Sequence, residues 1–154
     1  MIYLLLKWLH VISATVLLGT GAGIAFFMWR AQRTQDVQVI AAVAREVVRA
    51  DLWFTAVAVV VQPVTGFLLM RITGYPVTLR WIAVSAALFV LVGCCWLPVV
   101  WLQLRMRDLA DQALRERMPL PAQYFRYYRA WLLLGWPAFA GVLAILWLMI
   151  AKPA

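Results

Sequence analysis

The chain has 154 residues, 66% hydrophobic and only 13% charged, with a net charge of +8. Soluble domains carry roughly 45–50% apolar and about 25% charged residues, so a soluble core of this length is excluded and lipid is the expected solvent. The charge is no nucleic-acid footprint. The arginines cluster in two short segments between apolar runs, where arginine sets membrane orientation and meets anionic head groups, and no soluble basic face remains for phosphate contacts.

A spanning helix needs about 20 predominantly apolar residues. Four runs qualify, at about 2–29, 51–71, 80–103 and 129–151. Lipid-exposed backbone must satisfy its own hydrogen bonds, so these runs read as helices. The expected fold is an all-α integral membrane four-helix bundle, one membrane domain over residues 1–154. The first run exceeds a secretory leader's apolar core and has no basic segment before it, so it is expected to remain as the first span.

The connections differ in character. Segments 30–50 and 104–128, with Arg129 at the edge of the second, bring ten basic residues to one side of the membrane. The other side has Lys7, Arg71, Arg80 and Lys152. The positive-inside rule therefore puts the long loops in the cytoplasm, and both termini and the short loop 72–79 on the outer, periplasmic side of a bacterial inner (plasma) membrane. Within the first long loop, Val37, Ile40, Val43, Val47 and Val48 recur near helical spacing. They predict an extension of span two or a helix along the interface. Residues 102–118 read as a helical overhang, broken by Pro119 and Pro121. Tyr124, Phe125, Tyr127 and Tyr128 read as an aromatic belt leading into span four.

Polar groups inside a span are costly and are functional candidates by default. His10, the only histidine, lies about 12 Å inside span one at 1.5 Å per residue. It shares a helix face with Tyr3, Lys7, Ala14, Leu17, Gly21 and Met28. Below the ring that face is small, which would let a flat macrocycle or another helix approach. Gly19 and Gly23 form a GxxxG pair on the opposite face, suited to a neighbouring helix or a second subunit. In span two, Asp51, Thr55, Ala58, Gln62 and Gly66 fall within one sector. Gln62 lies about 13 Å below Arg71, level with His10, and Pro63 beside it frees a backbone carbonyl. Asp51 reads as a cap or as an arginine partner. Ser85 in span three is somewhat shallower. Lys7, Arg71 and Arg80 form a cationic rim above.

An imidazole in lipid needs a partner, which a neighbouring helix, a water, a metal or a haem iron can supply. A haem with iron on His10 and propionates at the rim suits this arrangement, and a polar lipid or small anion suits the rim nearly as well. Cys94 and Cys95 are adjacent, offer no disulfide framework, and read as packing residues. Trp96, Trp131 and Trp136 lie deeper than the belt tryptophans and read first as packing, second as pocket walls. GTGAG sits in mid-membrane and is no nucleotide fingerprint. No residue stands out as catalytic.

Two stretches carry a resemblance. LLLKWLHVISATVLLG resembles the first span of HemJ-type protoporphyrinogen oxidases, and YFRYYRAWLLLGWPAFAGVLAILWLMIAKPA is similar to their last. CopD-like four-span proteins share the histidine-bearing first helix. The middle, ADLWFTAVAVVVQPVTGFLLM and WLPVVWLQLRMRDLA, is similar to a family of predicted bacterial integral membrane proteins without assigned function. The HemJ resemblance implies haem b on His10, and the depths reckoned above would set Gln62, Ser85, Arg71, Arg80 and Lys7 around it. It also implies a redox role with a porphyrin or quinone partner, as a haem-dependent membrane oxidoreductase. Where that family has W-x-H-x-K in the third span, this chain reads Trp81-Ile82-Ala83-Val84-Ser85, without the histidine or the lysine. The alternative is a non-enzymatic module, a homo-oligomer joined through Gly19 and Gly23, or an accessory subunit without cofactor.

Overall fold

A computed structural model describes residues 1–153, and all regular structure among them is helical. The elements are α1 (Ile2–Thr34), α2 (Val37–Ala50), a π-helical turn (Asp51–Thr55), α3 (Ala56–Thr73), α4 (Arg80–Glu116) and α5 (Ala122–Ala151). Four rods are long and apolar enough to cross a bilayer: α1, the continuous run Val37–Thr73, α4 and α5. Each contains one expected span and overruns it. The stretch at 37–50 continues span two, rather than lying along the interface, and 102–116 continues span three.

Local chemistry sets the breaks. Gln35 takes a left-handed conformation and ends α1. Asp36 then caps α2, its carboxylate accepting from the Gln38 amide at 2.8 Å, the usual role of an acidic residue at a helix start. Gly74 ends α3 at φ +71°, where only glycine avoids a steric penalty. Arg117 closes α4 in the left-handed region, and Pro119 follows. Pro63, Pro98 and Pro137 lie inside helices, which neighbouring helices in a membrane tolerate.

The rods pack in two pairs, α1 with α3 and α4 with α5, and α2 bridges α1 and α4 at the long-loop end. That end holds the dense core. Ile40, Ala41, Ala44 and Val47 form one buried stripe of α2, and Met28, Met106, Ala110 and Tyr124 close around it. Gln32 donates a hydrogen bond to the hydroxyl of the fully buried Tyr124. Arg45 of α2 pairs with Asp111 of α4, a half-exposed bridge that contributes at most about 1 kcal/mol. Along the membrane length the large apolar groups point outward. Phe27, Trp53, Leu97, Leu133 and Trp147 are all exposed, as lipid-facing side chains must be.

The α4–α5 pair is tightly packed at Gly141, where an added Cβ would meet Cγ2 of Val92 at 2.6 Å. Val92 is β-branched and has little freedom to yield. Gly141→Ala is therefore expected to destabilise the bundle by about 1–3 kcal/mol, read as a lower thermal midpoint in detergent. An unchanged midpoint would show that the pair is looser than described.

Candidate functional site

Three side chains from α1 and α3 gather around His10. Its Nδ1 lies 2.9 Å from Oγ1 of Thr65. The Thr65 hydroxyl lies 2.7 Å from the carbonyl of Val61, one turn back, and donates to it. Its oxygen is thus left to accept from His10 Nδ1–H. The opposite nitrogen, Nε2, faces Nε2 of Gln62 at 3.3 Å and accepts from that amide. Ser13 Oγ lies against Oε1 of Gln62 and 3.0 Å from the His10 carbonyl, and with its one hydrogen on Oε1 the amide NH2 turns to the ring. The chain of donors assigns a neutral imidazole with hydrogen on Nδ1 and a lone pair on Nε2. Gly66 makes room for the ring, since a Cβ there would stand 3.2 Å from His10 Cε1.

A second polar cluster lies about 16 Å along the same rod, eleven residues toward the long-loop end at 1.5 Å per residue. Asp51, 5% exposed, starts the π-helical turn. Its carboxylate accepts from the indole of Trp96 at 3.2 and 3.3 Å. Gln103, with its amide oriented to satisfy both neighbours, donates to Asp51 Oδ2 at 3.1 Å and accepts from Trp131 Nε1 at 3.3 Å. Thr55, on the same turn, has a buried hydroxyl without a well-formed hydrogen bond. Single π-turns inside α-helices are frequent at functional sites.

A cavity of about 360 Å³ joins the two clusters. Gln62 lines one end, and Asp51, Thr55, Trp96, Gln103 and Trp131 line the other. The walls between are apolar and come from all four rods. Three wall residues are glycines, Gly21, Gly93 and Gly135, and an added Cβ at any of them would meet nothing within 4 Å. Missing side chains thus leave space where helix pairs separate. Ala22, Ala25 and Trp136 line the cavity yet are exposed, so it opens sideways toward lipid between α1 and α5.

The residues singled out from sequence divide into groups. His10 and Gln62 do meet, and Ala14, Leu17 and Gly21 below the ring do line a cavity. His10 itself is not among the lining residues, because Gln62 stands at that end. Ser85 is buried, but its hydroxyl donates back to the Trp81 carbonyl at 2.6 Å, the commonplace role of a mid-helix serine. Lys7 and Arg71 are exposed and sit over Tyr3 and Phe67 of their own helices. Arg80 is exposed at the start of α4. Asp51 corrects the expectation of an arginine partner, since its partners are a tryptophan and a glutamine. Gly19 and Gly23 have no atom within 4 Å of an added Cβ, so no helix of this chain seats there. Ser13, Thr65 and Gln103 escaped the sequence reading, and Ser13 alone left a trace, one turn from His10.

Among the described residues no group of three or more His, Cys, Asp or Glu side chains is placed to hold a metal ion. A haem iron needs only one imidazole, and Nε2 of His10 is the nitrogen with a lone pair. In the present arrangement Gln62 fills that direction, so the residues do not present the ring to the cavity.

The assigned tautomer is open to direct measurement. Nitrogen-15 NMR of His10 in detergent is expected to show hydrogen on Nδ1, and an Nε2–H signal would overturn the donor order. Thr65→Val removes the acceptor and is expected to cost about 0.5–2 kcal/mol, the range of interhelical hydrogen bonds in membranes.

Comparison with curated proteins and with solved structures finds no match. The family described as predicted integral membrane protein, DUF2269, matches residues 4–153. With nearly its whole length matched, and with four membrane-spanning rods, the chain belongs to this family of predicted integral membrane proteins.

Proposed function

We propose that this protein is an intramembrane binding module whose cavity takes a lipid-soluble molecule with an apolar body and a hydrogen-bonding head. The observation that carries the reading is the cavity itself: apolar walls opened by three glycines, with polar groups only at its ends. Ligand pockets have this make-up, mostly apolar with a few placed polar groups, and volumes from about 300 Å³ upward. Entry is sideways from the bilayer, past Ala22, Ala25 and Trp136. The neutral quinones of membranes belong to the class that fits. On this reading the module sits in a bacterial inner membrane, and ten basic residues on the long-loop side against four on the other support a cytoplasmic position for those loops. The open Gly19–Gly23 face is the place for a second copy.

A second reading has one observation behind it. The tautomer held by Thr65 leaves Nε2 as the lone-pair nitrogen, and ligating histidines commonly donate their other nitrogen in this way. On this reading Gln62 turns aside and His10 holds haem b, which would supply one-electron chemistry. The chain's own part would be to orient the ring through Thr65 and to wall the site with small residues.

Decylubiquinone titrated into detergent-purified protein is expected to quench tryptophan fluorescence saturably, because Trp96, Trp131 and Trp136 line the cavity. Gly21→Leu and Gly93→Leu fill open space, so they are expected to fold and to abolish the saturable phase. Quenching that never saturates, or that survives both fillings, would sink the pocket reading. For haem, the check is an absorption spectrum after supplementation. A Soret band lost in His10→Ala would support the second reading, and the absence of any band would remove it.

A further inference from the structure

The chain has six acidic residues, and five have ordinary surface roles. Asp36 caps α2. Glu46, Asp108 and Asp111 pair with Arg49, Arg107 and Arg45. Glu116 accepts from Gln112. Asp51 alone is buried in a membrane-spanning rod, and among the described residues no lysine or arginine lies within ion-pairing distance of it. The partners of its carboxyl are neutral groups, Trp96 and Gln103 with Thr55 beside them. In its ionised form this carboxylate would be a buried charge without a cationic partner, and a buried charge is normally paired. Neutral donors soften that cost without cancelling the charge.

Two further features point to what completes the pair. Thr55, 7% exposed, is among the residues lining the cavity beside Asp51, and its hydroxyl is buried without a well-formed hydrogen bond. The cavity walls include five aromatic rings, Phe89, Trp96, Trp131, Trp136 and Phe139, of which Trp96 bonds Asp51 itself. Aromatic faces attract organic cations, most strongly where water is excluded.

We infer that the cavity is selective for lipophilic organic cations, with Asp51 as their counter-ion and the aromatic walls as their cage. This rests on the pocket reading above and names the ligand class for it. A cation entering sideways from lipid replaces an unpaired buried charge with a paired one, which a neutral ligand cannot do. The arginines nearest in sequence, Arg45 and Arg49, are already paired with Asp111 and Glu46, so no resident side chain competes for the position.

The test uses the full chain in uncharged detergent, with two probes, tetraphenylphosphonium as the cation and decylubiquinone as the neutral molecule. Equilibrium binding of each is compared in the wild type, Asp51→Asn and Asp51→Glu, all checked for monodispersity and helical content. The expected result is cation binding weakened by about tenfold or more in Asp51→Asn, as loss of a desolvated counter-ion implies. Asp51→Glu should retain it, and decylubiquinone should bind all three alike. Equal cation binding in wild type and Asp51→Asn would overturn the inference. So would a wild type that binds the quinone and not the cation, while leaving the pocket itself standing. Binding of neither probe would overturn both readings. Should Asp51→Asn fail to fold, Asp51→Glu and the wild type carry the comparison, and a Glu variant without cation binding but with quinone binding would overturn it.

Discussion

Burial of the α2 stripe against α1 and α4 is the constraint on which the rest of the molecule hangs. Ile40, Ala41, Ala44 and Val47 are buried together with Met28, Met106 and Ala110, and for the part of such a cluster that lies beyond the bilayer the gain is the ordinary one for apolar area removed from water. Within the bilayer that drive is absent, because lipid is as apolar as leucine, and helices associate through close packing and a few hydrogen bonds. The two halves of the bundle therefore obey different physics. The long-loop end is clamped. The membrane length is held as two pairs that need not touch everywhere.

That division explains why space survives between the pairs. A void in a water-driven core costs lost contacts and unrelieved transfer energy. Between helix pairs in lipid the penalty is smaller and an acyl chain or a ligand can relieve it. The glycines at 21, 93 and 135 enlarge the space at some cost in helix propensity, about 1 kcal/mol each relative to alanine. Gly141 does the reverse, drawing α4 against α5 beside the same cavity. One residue type thus opens the site on one face and closes the helix pair on another.

The polar groups sit at the two ends of this space and differ in kind. Around His10 every nitrogen and the adjacent amide have partners, so that cluster ties α1 to α3 and orients the ring. Around Asp51 the partners are neutral donors, Trp96 and Gln103, and no lysine or arginine reaches the carboxyl among the described residues. The π-turn at 51–55 belongs to the same picture. It widens the helix by one residue where α2 gives way to α3, and it carries both Asp51 and Thr55.

Much of this protein follows from its sequence alone. Four apolar runs of about 20 residues admit only spanning helices, and the 3.6-residue period put Ala14, Leu17 and Gly21 on His10's face, where they do line the cavity. The rise per residue along each helix also put Gln62 level with the ring, which it meets. What the tertiary structure alone decided is which helices pair, and hence who meets whom. Thr65 reaches Nδ1, Ser85 turns back onto its own helix, and Asp51 finds Trp96 and Gln103 rather than an arginine. The physical reason is that hydropathy reports burial in lipid without distinguishing lipid from protein neighbours. The rotation and pairing of the rods are set by contacts between residues some 45 to 55 positions apart, which no pattern within a single helix encodes.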